Sequence, residues 1–248
     1  MKILVTGMSG RIGSAVRRRM EGNHEMYALN RRDVPGVPTT RADIADLDAI
    51  KPAFAGMDAV VHMAAGFERE GNDRMLLSNL TGSYNIFEAS REAGVKRVVY
   101  ASSGRVISNY ERDEPYKAIV EGRYDEVPAD FPIIDHRAPV RPESLYGCTK
   151  LWGEALARYY SETFDMSCIV IRVGYVNDED MANSTRRFSH WSSQRDIAQL
   201  VERCVEAPDD LRFDIFFGTS GNKWNYRDIE HAKRVVGYDP EDNAEAFR

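Results

Sequence analysis

The 248-residue chain is poor in cysteine, holds no long apolar run and has no surplus of positive charge. Its three cysteines, Cys148, Cys168 and Cys204, are widely spaced and form no paired metal-ligand pattern. They read as small core or helix residues in a reducing compartment, and no metal is implied. No stretch approaches the roughly 18 apolar residues that cross a bilayer, and the N-terminus has no apolar segment ending in a cleavage site. The expectation is a soluble cytoplasmic protein with no membrane partner. Lys and Arg number 33 against 39 Asp and Glu, interspersed to a net charge of -6, which leaves no basic face for nucleic acid. There is no internal repeat. At this length, one large α/β domain over residues 1–248 buries a full core without covalent staples.

What the chain does have begins at its N-terminus. Lys2-Ile3-Leu4-Val5-Thr6-Gly7-Met8-Ser9-Gly10-Arg11-Ile12-Gly13 reads as a buried strand, a glycine turn and a helix start. Ile3, Leu4 and Val5 do not alternate with polar residues, as expected for a strand covered on both faces of a parallel sheet. In a dinucleotide-binding turn the first glycine permits the tight bend, the second lets backbone approach pyrophosphate, and the third lets helix pack on strand. Gly7, Gly10 and Gly13 fit these places, and Ile12, Ala15, Val16 and Met20 supply the amphipathic helix that follows. The ligand's negative charge then lies at the positive end of a helix. Arg17 to Arg19 read as a solvated helix face.

A second apolar strand, Met26 to Leu29, ends in Asn30-Arg31-Arg32-Asp33. An acidic residue here would accept from the ribose hydroxyls of NAD, whereas arginine accommodates the extra phosphate of NADP. Asn30 with Arg31 and Arg32 favours NADP, because planar guanidinium forks suit phosphate. Asp33 keeps NAD open through a one-residue shift. Asp43-Ile44 then leads into a helix capped by Asp46, with Asp43 placed for the adenine edge. The strand from Ala59 runs through Met63 to the small residues Ala64-Ala65-Gly66, which leave room for a ligand; His62 is given no role. A long helix over Asn72 to Ala93 stops at Gly94 and carries Asn79 opposite its apolar face. Arg97 to Ala101 forms the next strand, and Ser102-Ser103 at its carboxyl end point toward the crevice.

Between residues 109 and 142 the periodicity disappears in charge and proline, and this insertion is expected to cover the site. From Ser144 an apolar stripe runs through a helix to Phe164, followed by a buried strand, Cys168 to Val173. Residues 174–248 alternate loops with a helix around Asp196 to Cys204, a strand at Phe213 to Phe217 and a helix around Tyr226 to Val236.

Tyr146 and Lys150, four apart on a helix, project from one face. A free tyrosine titrates near 10, so its pKa must fall by ~3 units, or ~4 kcal/mol, before phenolate is readily available. A neighbouring ammonium and the positive nicotinamide ring of an oxidised cofactor favour the phenolate. Ser103 is placed to hold the substrate oxygen by a hydrogen bond. The implied reaction is hydride transfer between a carbinol carbon and nicotinamide, with Tyr146 taking or giving the hydroxyl proton.

Over essentially its whole length the chain resembles the extended short-chain dehydrogenases/reductases. The matching residues are Thr6 to Gly13, Asp43-Ile44, His62-Met63-Ala64-Ala65, Asn79 with Gly82, Ser102-Ser103 and Tyr146-Gly147-Cys148-Thr149-Lys150. The resemblance implies a Rossmann-type doubly wound parallel sheet, with residues 174–248 contributing a small substrate-binding region. It implies catalytic roles for Ser103, Tyr146 and Lys150, with Asn79 supporting the lysine. It also implies cofactor contacts from Gly7, Ser9, Gly10, Arg11, Ile12 and Gly13, from Asn30, Arg31 and Arg32, from Asp43 and Ile44, and from Met63, Ala64, Ala65 and Ala101, besides Tyr146 and Lys150. A homodimer through the helices of Asn79 and Tyr146 is implied as well.

Within that family, Leu145 to Glu154, Arg172-Val173-Gly174 and Gly237 to Glu245 are similar to uronate dehydrogenases and related sugar dehydrogenases, which oxidise an anomeric hydroxyl to a lactone. Gly104-Arg105, Tyr175 and Phe67 depart from that pattern, and the 43 positions between Ser103 and Tyr146 exceed its spacing. Arg105, Tyr175, Arg186 and Arg187 are candidate substrate contacts, the arginines being suited to carboxylate or phosphate. The leading expectation is an NADP-preferring dehydrogenase or reductase of a uronate, aldose or sugar phosphate. A nucleotide-sugar epimerase, dehydratase or reductase would need more than the 74 residues after Gly174, and a non-catalytic NADP-sensing regulator would need neither Tyr146 nor Lys150.

Overall fold

The computed structural model describes residues 1–248. Seven strands, β1 (Lys2–Thr6), β2 (Glu25–Asn30), β3 (Thr39–Arg41), β4 (Ala59–His62), β5 (Arg97–Ser103), β6 (Ser167–Val173) and β7 (Phe213–Gly218), form one sheet in the spatial order β3-β2-β1-β4-β5-β6-β7. Every pairing is parallel. The apolar runs explain this arrangement, since their successive residues serve opposite faces. Ile3, Val5, Val99 and Ile169 pack on one side against α1 (Arg11–Met20), α7 (Gln194–Val205) and α8 (Glu230–Val236). Leu4, Val60, Val98 and Val170 pack on the other against α2 (Leu47–Ile50), α4 (Ser83–Glu92) and α6 (Leu145–Phe164).

The strand order reverses at β1, which pairs with β2 on one edge and β4 on the other. A crevice opens at such a reversal, beyond the carboxyl ends of the strands. Asp46 caps α2 by accepting from the Ala49 amide at 3.1 Å, and Ser144 caps α6 by accepting from the Gly147 amide at 3.2 Å. Arg17 and Arg19 are not simply solvated. Arg17 reaches Glu21 and the Pro35 carbonyl, and Arg19 reaches Glu202 on α7 at 2.6 Å.

The helix expected over Asn72 to Ala93 is present as α3 (Asn72–Leu76), a π-helical turn over Leu77–Gly82, and α4. The wider turn shifts the helix face. Asn79, expected opposite the apolar side, is therefore buried, at 1% exposure. Residues 109–142 form 3-10 turns and the short helix α5 (Tyr116–Glu121). Tyr116, Ile119 and Ile134 pack with Phe217, Tyr226 and Ile229 in a satellite core, so this segment lies against β7 and the chain that follows it. The last helix starts at Glu230, and Tyr226 precedes it as a buried anchor.

Candidate active site

The turn after β1 is shaped by glycine. Gly7 has φ +68°, and a Cβ there would lie 2.9 Å from Ala64 backbone atoms; one on Gly13 would lie 2.4 Å from the Gly7 carbonyl oxygen. Gly10 caps α1 with no side-chain hydrogen bond, which leaves the first amides of the helix free to bind an anion. Above this turn runs a cleft of about 750 Å³. Gly7, Ser9, Gly10, Arg11, Ile12, Gly13, Asn30, Arg31, Arg32, Asp43, Ile44, Met63, Ala64, Ala65, Ala101, Ser103, Tyr146 and Lys150 all line it, as do Arg105 and Tyr175. A cradle that a Cβ would fill, uncapped amides and a long cleft together fit a dinucleotide.

Individual contacts add detail. The Asn30 amide donates to Ser9 Oγ at 2.7 Å. Arg31 and Arg32 are exposed on the cleft rim, while Asp33 turns away to Arg41 at 3.6 Å. Burial alone would raise the Asp43 pKa; the Ala45 amide and Arg74, at 2.5 Å, more than offset it and hold the carboxyl below its ordinary value. Arg11 grips Asp178 through Nε and Nη2, both at 2.7 Å, and so ties the start of α1 to the chain beyond β6. His62 is buried between Thr6 and Ser83; burial and the nearby Lys150 push it down to about 3, so it is a neutral packing residue.

At the mouth of β5, Ser103 Oγ accepts from the Arg105 amide at 3.2 Å, leaving its proton free to donate. Ser102 faces the other way and donates to Glu154 at 2.5 Å. Tyr146 stacks on Phe67 with centroids 5.3 Å apart. Lys150 Nζ is buried and donates to the Ala101 carbonyl at 2.8 Å. Asn79 does not touch Lys150. It donates to Gly66 O and Thr149 Oγ1 and accepts from the Gly66 amide, and Thr149 in turn donates to the Tyr146 carbonyl. Burial raises the Tyr146 phenol, with Arg105 opposing and Glu68 reinforcing, and burial lowers Lys150 to about 7. The protein alone therefore holds Tyr146 as a phenol, contrary to the simple lysine argument, because desolvation outweighs an ammonium 5.6 Å from the ring centre.

A second cavity of about 270 Å³ shares Ser103, Arg105, Gly174 and Tyr175 with the first and continues to Arg186, Arg187, His190 and Arg227. Arg105 pairs with Glu143 at 3.3 Å, and Arg186 with Glu111 at 2.5 Å and Glu143 at 2.7 Å. Arg187 bonds Asn183 and covers the Tyr175 ring at 3.8 Å. Residues 109–142 line neither cavity; they act from behind, through Glu111. Glu68, Arg74 and Asp178 of the cleft, and His190 and Arg227 of the second cavity, carry no sequence motif and escaped the sequence reading.

The parallel sheet with its reversal at β1, the glycine cradle, and Ser103, Tyr146 and Lys150 around one cleft define a nicotinamide-dependent oxidoreductase of the extended short-chain type. Residues 3–224 match the NAD dependent epimerase/dehydratase family, and the chain belongs to it. It is 32% identical to an NAD-dependent glucose-6-phosphate dehydrogenase of Haloferax volcanii, over 99% of this chain and 95% of that protein. It is 30% identical to a uronate dehydrogenase of Pseudomonas putida, over 100% of this chain and 86% of that one. Among solved structures, a mutated uronate dehydrogenase superposes with a TM-score of 0.85 at 29% identity, covering 100% of this chain and 84% of that one.

Proposed function

We propose that the protein transfers hydride between a nicotinamide cofactor, NADP in preference to NAD, and the carbinol or carbonyl carbon of a sugar-like substrate. The observation that carries this reading is the convergence of Ser103, Tyr146 and Lys150 on a cleft floored by the Gly7–Gly13 cradle. The bound cofactor supplies the carbon that accepts or gives hydride. Ser103 donates its free hydroxyl proton to the substrate oxygen and holds it beside Tyr146. In the oxidative direction Tyr146 must first lose its own proton, which the positive ring of an oxidised cofactor would favour against the burial that otherwise keeps it a phenol. The phenolate then takes the hydroxyl proton as the hydride leaves carbon, giving a carbonyl and a phenol. Lys150, fixed on the Ala101 carbonyl, supplies positive charge beside the ring when it is protonated. Asn79 acts through position, locking Thr149 and hence the first turn of α6.

Arg31 and Arg32, without ion-pair partners at the cleft rim, are the basis for choosing NADP. A cytoplasmic homodimer through the helical segment that holds Asn79 and through α6, which holds Tyr146, completes the proposal. The test is absorbance of reduced nicotinamide against uronates, aldoses and sugar phosphates. Wild type is expected to turn over at least one, and Tyr146→Phe to lose about 10²–10⁴ of the rate while retaining cofactor affinity. Equal turnover by Tyr146→Phe would refute the assigned base.

A further inference from the structure

Arg227 stands apart from the other arginines near Ser103. Its side chain is 1% exposed, yet Nε and Nη1 have no hydrogen-bond partner. Its backbone is fixed in the loop between β7 and α8, where the Arg227 amide donates to Asn225 Oδ1 at 3.1 Å and the residue bridges to Ile134. The nearest carboxylate, Glu111, is committed elsewhere. It takes Arg186 at 2.5 Å on one oxygen and the Tyr226 hydroxyl at 2.6 Å on the other, leaving Arg227 Nη2 at 3.7 Å. A buried cation with idle donors is expensive unless something pairs with it.

Arg227 lines the second cavity together with Ser103, Ser108 and His190. Gly104, the residue after Ser103, packs beside it: a Cβ there would stand 3.5 Å from Arg227 Nε, in van der Waals contact. Around the cavity four guanidiniums, Arg105, Arg186, Arg187 and Arg227, meet two carboxylates, Glu143 and Glu111. The surplus is two positive charges. His190 adds none, because burial, with Arg227 and Arg186 nearby, pushes its pKa well below the ordinary value. Its Nδ1–H donates to the Arg186 carbonyl at 3.0 Å, so Nε2 keeps a lone pair that can accept from a hydroxyl.

We infer that Arg227 binds the phosphoryl dianion of a sugar phosphate in this second cavity, with the sugar hydroxyls toward His190 and the reacting carbon toward Ser103. The inference rests on the proposed sugar oxidoreduction and narrows its substrate. A dianion neutralises the surplus of two, which a neutral aldose would leave uncompensated.

Two measurements on NADP-saturated enzyme test this. The first is calorimetric titration with inorganic phosphate, the dinucleotide cradle being blocked by cofactor. Wild type is expected to bind phosphate, Arg227→Met to lose binding, and Arg227→Lys to keep part of it as a point charge. The second compares kcat/KM for glucose 6-phosphate, glucuronate and glucose. The ratio of phosphorylated to neutral sugar is expected to fall about 100-fold in Arg227→Met. Arg227→Met is also expected to raise Tm, which an arginine serving only the fold would not do. If Arg227→Met does not fold, the Arg227→Lys titration and ratio decide.

Phosphate binding that depends on Arg227, with no sugar oxidised, would sink the proposed reaction and leave the site standing. Sugar oxidation with an unchanged substrate ratio in both variants would sink the site and leave the reaction standing. Glucuronate preferred over the phosphate ester, with that preference lost in Arg227→Met, would overturn the phosphoryl assignment in favour of carboxylate.

Discussion

The Lys150 ammonium donates to the Ala101 carbonyl at 2.8 Å and stands 5.6 Å from the centre of the Tyr146 ring one helical turn away. The lysine is thus anchored to the sheet rather than to the tyrosine it serves. Burial gives this anchoring a titration signature, lowering Lys150 from 10.5 to about 7. Above pH 7 the unfolded chain still carries this proton while the folded one sheds it. Stability therefore rises with pH in this window, by roughly 1–2 kcal/mol between pH 7 and 8.5. Beyond that the buried thiols of Cys168 and Cys204, both held above their ordinary value by burial, oppose the trend. Urea midpoints at the two pH values should show the rise in wild type and not in Lys150→Met. An equal rise in both would assign it to other groups.

The proposed preference for NADP rests on two residues beside Asn30. Arg31 and Arg32 line the cleft, and a phosphate on the adenine ribose would meet guanidiniums not already paired. Each charge-assisted bond is worth about 1.5–3 kcal/mol, so Arg31→Ala or Arg32→Ala should weaken NADP by about 10-fold or more while leaving NAD nearly unchanged. Fluorescence titration of both cofactors measures this directly. NADP affinity unaltered in both variants would end the phosphate-clamp reading.

The cleft was legible because its residues follow chain-local rules. A glycine cradle, strand ends and a four-residue helical spacing each announce themselves within a dozen positions, and the residues they mark do line one cavity. The second cavity was legible only in part. Arg105, Arg186 and Arg187 could be named as cations, but their pairing with Glu111 and Glu143 crosses separations of up to 75 positions. Arg227 escaped because its distinguishing property, burial with two donors left without hydrogen bonds, is encoded by no spacing. Asn79 was placed on the wrong face because a π-helical turn adds a residue that a 3.6-residue period does not anticipate.

Leu77, Tyr84, Trp152 and Tyr159 are large, apolar or aromatic, and 42–52% exposed, on the π-helical turn, α4 and α6. Exposed apolar residues gathered on adjacent helices are the features expected of an interaction surface, and they lie on the segments proposed above to meet a second copy of the chain. Trp152→Glu and Tyr159→Glu should convert a dimer to a monomer in analytical ultracentrifugation without loss of secondary structure. A wild type that sediments as a monomer at every concentration would remove the proposal.

Behind Ser103 lies a buried ionic network that fixes the end of β5. Ser102 donates to Glu154 Oε1 at 2.5 Å, and Arg172 spans both oxygens of Glu154 at 3.0 and 2.8 Å. Glu154 and Arg172 are 7% and 2% exposed, so neither charge finds water if the other is removed. Glu154→Leu should therefore cost about 3–5 kcal/mol, most of it the penalty of an unpaired Arg172 guanidinium. Glu154→Leu with Arg172→Met removes both charges and should recover much of that loss in urea denaturation. If the double variant is as unstable as the sum of the singles, the network contributes through shape rather than charge pairing, and the end of β5 is held by packing alone.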